Sequence, residues 1–137
     1  MSRYLLDTNV VSELRKPRPH GAVVAWLRSQ PEENLFLSAV TLGELQAGIE
    51  RARRQYPAKA EEIGQWADEL AASYQVLPMD AHCFREWGRI IERVSEHLLE
   101  DAMIAATARV HRLTVATRNE RDFRHFGVEI FNPFRGG

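Results

Sequence analysis

Cysteine is almost missing from this chain. Cys83 is the only one in 137 residues, so no internal disulfide can form. That suits a reducing compartment and leaves Cys83 as a small buried filler. Long apolar runs are missing too: none approaches the roughly 20 residues needed to cross a bilayer. The N-terminus has no basic segment followed by a long apolar stretch, so no secretion signal is read and a cytoplasmic location is expected. Five histidines (His20, His82, His97, His111 and His125) show no close pairing of the kind a zinc site uses. The formal net charge is −1, which gives no global basic signal for nucleic acid. A cluster of acids holding a cation would pull that number down while leaving local basic groups, however. Two such groups exist: Arg51, Arg53 and Arg54, which read chiefly as a solvated helix face, and Arg118, Arg121 and Arg124.

What is present is an ordinary globular balance, 45% apolar and 27% charged. A chain of this length can close one core, and residues 1–137 read as a single domain. Apolar, strand-like runs fall at Arg3–Leu6, Leu35–Leu37, Gln75–Leu77, Leu113–Ala116 and Glu129–Phe131. Helical patterns lie between them. Ala22–Arg28 follows the breaker-rich "KPRPHG". Leu42, Leu45, Ile49 and Ala52 repeat at helical spacing, as do Ala60, Ile63, Ala67, Leu70 and Tyr74, with Pro57 placed to begin the second of these helices. Further helices are expected from about Asp80 and over Ala102–Val110. Strands alternating with helices imply a parallel sheet covered on both faces, an α/β fold. Ligands of such sheets bind beyond the carboxyl ends of the strands.

Four acids are expected at that edge. Asp7 follows the first strand, Glu44 the second and Asp122 the fourth, while Asp101 opens a helix that leads into a strand. Each has a purely structural alternative. Asp7 can be a helix cap, Thr41 and Glu44 fit a capping box, Asp101 can complement a helix dipole, and Asn119 can cap a turn containing Asp122. Convergence shifts the balance. Two carboxylates about 4 Å apart repel by roughly 4 kcal/mol at an effective dielectric near 20. Four together call for a cation or for protonation. All-oxygen ligation favours a hard ion, Mg²⁺ or Mn²⁺. Acids, magnesium and nearby arginines together point to phosphodiester hydrolysis.

The ordered set "LLDTNVVSEL", "LSAVTLGELQAGI", "VLPMDA", "EDAMIAATARVHRLTVATRNERDF" and "GVEIFNPF" resembles PIN-domain ribonucleases, and among them the VapC-type toxins of toxin–antitoxin modules, including the FitB-like branch. The resemblance runs nearly end to end. It implies a five-stranded parallel sheet flanked by helices, with a protruding helical hairpin formed by the segments on either side of Pro57. It implies a Mg²⁺-dependent (or Mn²⁺-dependent) endoribonuclease that cuts RNA by metal-activated water, a cognate VapB-type antitoxin and a homodimer. Carried over by position, Asp7, Glu44, Asp101 and Asp122 match the metal-binding, catalytic acids. Thr8, Asn9, Thr117 and Asn119 match their polar neighbours, which orient carboxylates or water. Arg118, Arg121 and Arg124 are candidates for RNA backbone contacts. On the hairpin, Ile49, Trp66, Leu70 and Tyr74 are candidates for an apolar patch that a partner helix would cover.

One departure stands out. Many relatives carry a glycine turn and a proline before the third acid, whereas "RVSEHLLEDAMIAATA" has neither. A nearly continuous helix is therefore expected to lead into Asp101, with Glu100 beside it as a possible auxiliary acid. Asp80, in "LPMDA", reads as a cap for the following helix. Competing functions are weaker. A haloacid-dehalogenase-type phosphotransferase needs a second aspartate where Asn9 stands. A receiver-type phosphoacceptor wants a late lysine, yet the lysines here are Lys16 and Lys59. A PIN fold that binds RNA or a partner without cutting remains the alternative from another class.

Overall fold

The structure is a computed structural model that describes residues 2–94 and 98–135. Among these, five short strands form one parallel sheet: β1 (Tyr4–Leu6), β2 (Leu35–Ser38), β3 (Gln75–Leu77), β4 (Thr114–Ala116) and β5 (Ile130–Phe131). Their spatial order is β3-β2-β1-β4-β5. β1 is therefore central, with Leu6 paired to Leu37 on one side and to Ala116 on the other. The strand alternation divides the core between two layers. Leu5, Phe36 and Val115 enter one cluster, while Leu6, Leu35, Leu37 and Ala116 enter the other.

The helices are α1 (Thr8–Val11), α2 (Gly21–Ser29), α3 (Ala39–Arg53), α4 (Pro57–Ser73), α5 (Ala81–Ile91), α6 (Leu99–His111) and α7 (Glu120–Phe123). Helices α3 and α4 form the expected hairpin. Pro57 occupies the first turn of α4, where its missing N–H has no helical partner to lose. Asp80 caps α5 by accepting a hydrogen bond from the Cys83 backbone N–H at 3.0 Å, and Cys83 is buried, as the sequence suggested for both. No described helix is long and apolar enough to cross a membrane.

Helix α6 is the chief buried element. Ala102, Ala105, Ala106 and Ala108 are fully enclosed together with Ile104, and small side chains let the helix lie close to the sheet. It ends on Arg112, whose φ of 57° is left-handed, and the Leu113 N–H closes back onto the Ala108 carbonyl at 2.8 Å. This closure is a left-handed helix end that glycine would usually supply.

Two expectations need correction. No nearly continuous helix leads into Asp101. α5 stops at Ile91 and the described residues 92–94 turn away, with residues 95–97 outside the described set. The reason is packing: Ile90 of α5 and Leu98, Ala102 and Ile104 belong to the same core cluster, which requires the chain to double back. The Trp87 indole N–H donates to the Leu99 carbonyl at 3.1 Å and ties the two helices together. Nor do Ile49 and Leu70 form an exposed hairpin patch, because both are buried. Trp66 and Tyr74 stay half-buried and, with Leu14, Val24 and Leu27, line a groove of about 480 Å³. Ile104→Ala should lower the unfolding free energy by about 2–5 kcal/mol, read by chemical denaturation, because α6 cannot collapse into the space vacated.

Candidate metal and catalytic site

The carboxyl edge of β1 delivers Asp7 into a nearly closed position, 5% exposed. Its Oδ1 accepts from the Thr8 backbone N–H at 2.8 Å, so Asp7 does cap α1. Its Oδ2 accepts from the Thr117 hydroxyl at 2.7 Å and from the Asn9 amide at 3.2 Å. Capping and site membership are thus the same geometry. The strand register makes this possible: the Asp7 N–H pairs with the Ala116 carbonyl at 2.9 Å, which sets Asp7 beside the residue that follows β4.

Thr117 is the hub on the β4 side. Its hydroxyl oxygen accepts from the Asn9 amide at 3.3 Å and from the Asn119 backbone N–H at 2.9 Å, so its one proton is directed to Asp7. The Asn119 side-chain amide then donates to Asp122 at 2.9 Å and to Asp101 at 3.3 Å. Asn119 makes no side-chain cap to α7; its amide serves the two acids instead. The Arg118 backbone N–H donates to the Asn9 side-chain oxygen at 3.2 Å, completing the tie between the loops after β1 and β4.

On the β2 side, the Thr8 hydroxyl donates to Glu44 at 2.9 Å and lies 3.1 Å from the Thr41 hydroxyl. The capping box expected of Thr41 and Glu44 is not formed. Ser38 caps α3 through the Val40 N–H, which places Thr41 and Glu44 inside the helix. The reading failed because β2 runs directly into α3, one turn earlier than a cap at Thr41 would allow. Thr41 is instead fully buried beneath the site. Glu44 and Glu100 line the same cleft, so Glu100 does stand beside the expected acids.

These groups are short of positive charge. Burial, above all, pushes the Asp7 carboxyl above its ordinary value, against the three hydrogen bonds that favour the ion. Glu44 is pushed up to about 7, first by burial and then by the nearby charges of Glu100 and Asp7, against the bond from Thr8. None of the ion pairs among the described residues involves Asp7, Glu44 or Asp122. Among the described residues, no three acids, histidines or cysteines stand already closed around one point. The acids are linked pairwise through hydroxyls and amides. Even so, an all-oxygen donor set in which burial raises the proton affinity of Asp7 and Glu44 fits a hard divalent ion.

The family model described as PIN domain matches residues 4–129. The chain belongs to the PIN-domain family. Within it, it sorts with VapC- and FitB-type toxins. Toxin FitB of Neisseria gonorrhoeae is 38% identical, with 95% of this chain and 97% of that protein covered. A VapC ribonuclease of Sinorhizobium fredii is 37% identical over 95% of this chain and 96% of its own length. The crystal structure of FitAcB from Neisseria gonorrhoeae superposes with a TM-score of 0.82 at 35% identity, covering 96% of this chain and 99% of that one. PIN-domain nucleases of the VapC type are in general dependent on divalent metal.

Arg121 and Arg124 are exposed in this PIN domain. Arg118 lies with its guanidinium 4.0 Å from the centre of the Phe134 ring. Sequence reasoning passed over Glu13, a buried acid that accepts from Lys16 at 2.8 Å and from the His20 backbone N–H at 3.0 Å. Lys16 chiefly holds its carboxyl below the ordinary value. Its place within "LLDTNVVSEL" was the available signal, and its work is to fold the loop between α1 and α2 back on itself.

Glu44 should make metal-free stability depend on pH. A carboxyl that ionises near its ordinary 4.5 when unfolded and at about 7 when folded binds more proton in the folded state between those values. Stability in EDTA should therefore fall as pH rises from about 4.5 through about 7, and Mg²⁺ or Mn²⁺ should remove that fall. Denaturation midpoints at both ends of the window, with and without metal, check it; a flat metal-free profile would contradict the charge assignment.

Proposed function

We propose that this chain is the toxin component of a type II toxin–antitoxin system and acts as a metal-dependent endoribonuclease. Its relatives support the reading: one is named as a toxin and another as a VapC ribonuclease, each matched over nearly its whole length. The observation that carries the site assignment is the unbroken hydrogen-bonded chain from Glu44 through Thr8, Asp7, Thr117 and Asn119 to Asp101 and Asp122. In this reading Asp7, Glu44, Asp101 and Asp122 hold Mg²⁺ (or Mn²⁺), and Glu100 stands beside them. A divalent ion bound there would neutralise charge building on the phosphate and lower the pKa of water.

The chain's own residues do the rest. Thr117 fixes one Asp7 oxygen, and the Thr8 N–H fixes the other. Thr8 orients Glu44, and Asn119 keeps Asp101 and Asp122 apart by donating to both. Such outer contacts typically govern metal affinity or activity by about 10–100-fold. Arg121 and Arg124 are free to meet RNA phosphates, which positions a strand without reading its sequence. A VapB-type antitoxin is the proposed partner and a homodimer the proposed state. The FitAcB neighbour supports the partner, and the groove bearing Trp66 and Tyr74 offers an apolar surface for it. A single PIN domain working in the cytoplasm completes the proposal.

Expression of the chain without its genomic neighbour should arrest growth, and co-expression of that neighbour should relieve it. Mapped RNA ends should carry 5′-phosphate and 3′-hydroxyl. Asp7→Asn and Asp101→Asn should each reduce cleavage to background and weaken Mn²⁺ binding while the far-ultraviolet dichroism stays unchanged. Cleavage undiminished in either variant, and indifferent to EDTA, would favour a non-catalytic PIN module.

Thr117 gives a sharper test. Thr117→Val keeps the shape but removes the hydroxyl that joins Asp7, Asn9 and Asn119, so cleavage at saturating RNA should fall about 10–100-fold. Thr117→Ser should recover most of it. Equal losses in the two variants would mean that packing, not the hydroxyl, is what matters.

A further inference from the structure

Two open clefts adjoin the acid edge, and they lie on opposite sides of it. The first, of about 420 Å³, is lined by Gly43, Glu44, Ala47, Arg51, Glu100 and Met103. The second, of about 820 Å³, includes Arg93, Leu98, Asn119, Arg121, Asp122 and His125. The sheet order explains the sides. Glu44 belongs to the helix after β2 and Asp122 to the helix after β4, while Asp7 ends β1 between them. The first turn of α6 forms the divide, with Glu100 facing one cleft and Leu98 the other.

Each cleft carries exposed arginine beside the acids. Arg53, Arg89, Arg109 and Arg135 are neutralised by Glu50, Glu86 and Glu120. Arg51, Arg93 and Arg121 are exposed and enter no such pair among the described residues. On α3, Glu44, Ala47 and Arg51 follow one another at helical spacing, so that Arg51 continues the face that carries Glu44. The edge therefore reads as exposed positive charge, then acids, then exposed positive charge.

That alternation fits one extended polyanion whose middle phosphate meets the acids and whose neighbouring phosphates meet arginines. We propose that a single RNA strand crosses the first turn of α6, with backbone phosphates held by Arg51 on one side of the scissile bond and by Arg93 and Arg121 on the other. The proposal rests on the nuclease reading and adds a path and two anchoring subsites to it. Arg51 comes from the hairpin, Arg93 from the turn after α5 and Arg121 from α7, so three separate elements define the track. His125 lines the second cleft as a further donor or stacking surface.

The test is binding, separated from cleavage. In an Asp7→Asn background with Mg²⁺ held constant, affinity for an unstructured, fluorescently labelled RNA of about 20 nucleotides is measured from about 50 to 300 mM KCl. Each single-strand phosphate contact contributes about 0.7 to the slope of log affinity against log salt. Arg51→Ala should lower the slope by about 0.7, Arg93→Ala with Arg121→Ala by about 1.4, and the triple variant by the sum. Arg28→Ala, on α2 and lining neither cleft, should leave it unchanged. RNA that binds with the same slope in every variant overturns the track but leaves the nuclease reading standing. A chain that binds no RNA at all overturns both.

Discussion

The structure depends on one buried carboxylate at the end of its central strand. Asp7 is 5% exposed and has no cationic side chain against it among the described ion pairs. Removing such an ion from water costs several kcal/mol. Three donors offset part of that, each charge-assisted bond contributing about 1.5–3 kcal/mol. They come from three places: the first N–H of α1, the Asn9 side chain and the Thr117 hydroxyl. The loop after β4 cannot move without breaking the bond to Asp7, and α1 cannot unwind without exposing it. The residual cost appears as a raised proton affinity, the property that would make a divalent ion welcome.

Packing sets how closely the other acids approach. The alanines of α6 bring that helix down onto the sheet, and its first turn carries Glu100 and Asp101 to the edge where Glu44 and Asp122 stand. On the β4 side the loop is braced from beneath and beyond. Phe123 and Phe126 meet edge to face in the core, their ring centres 5.5 Å apart. Past β5, Asn132 and Arg135 both hold Glu120, at 3.0 and 2.9 Å, while Phe134 lies under Arg118. The segment Thr117–Asp122 is thereby fixed by the core, by the chain after β5 and by the acids. A short loop so held can present Asn119 to two carboxylates at once.

The sheet order also separates roles among chemically similar residues. Asp80 ends a strand, as Asp7 does, yet β3 is an edge strand and Asp80 is exposed. Its bond from the Cys83 N–H holds its carboxyl below the ordinary value, the opposite direction from Asp7. Both aspartates cap the helix that follows, but the one near the edge strand is exposed and the one at the centre is buried. Glu13, inside the first motif, is paired with Lys16 and ties its own loop together.

Much of this was legible in the order of residues. Apolar runs located all five strands to within a residue, and helical patterning placed the hairpin about Pro57, because burial leaves its mark locally. The acids with their Thr and Asn companions were legible as an ordered motif set. Other features were not, because each depends on a distance between segments far apart in the chain. Glu44 and Glu100, far apart in the chain, line one cleft, and Thr41 turns inward to Thr8 only because Ser38 has already capped α3. The chain reverses before Asp101 because α5 and α6 must bury their apolar faces in one cluster, a demand no local signal announces. Sequence alone determined which groups can act and on which elements they ride; the tertiary structure alone decided which carboxylates meet, since electrostatic coupling depends on separation in space and not along the chain.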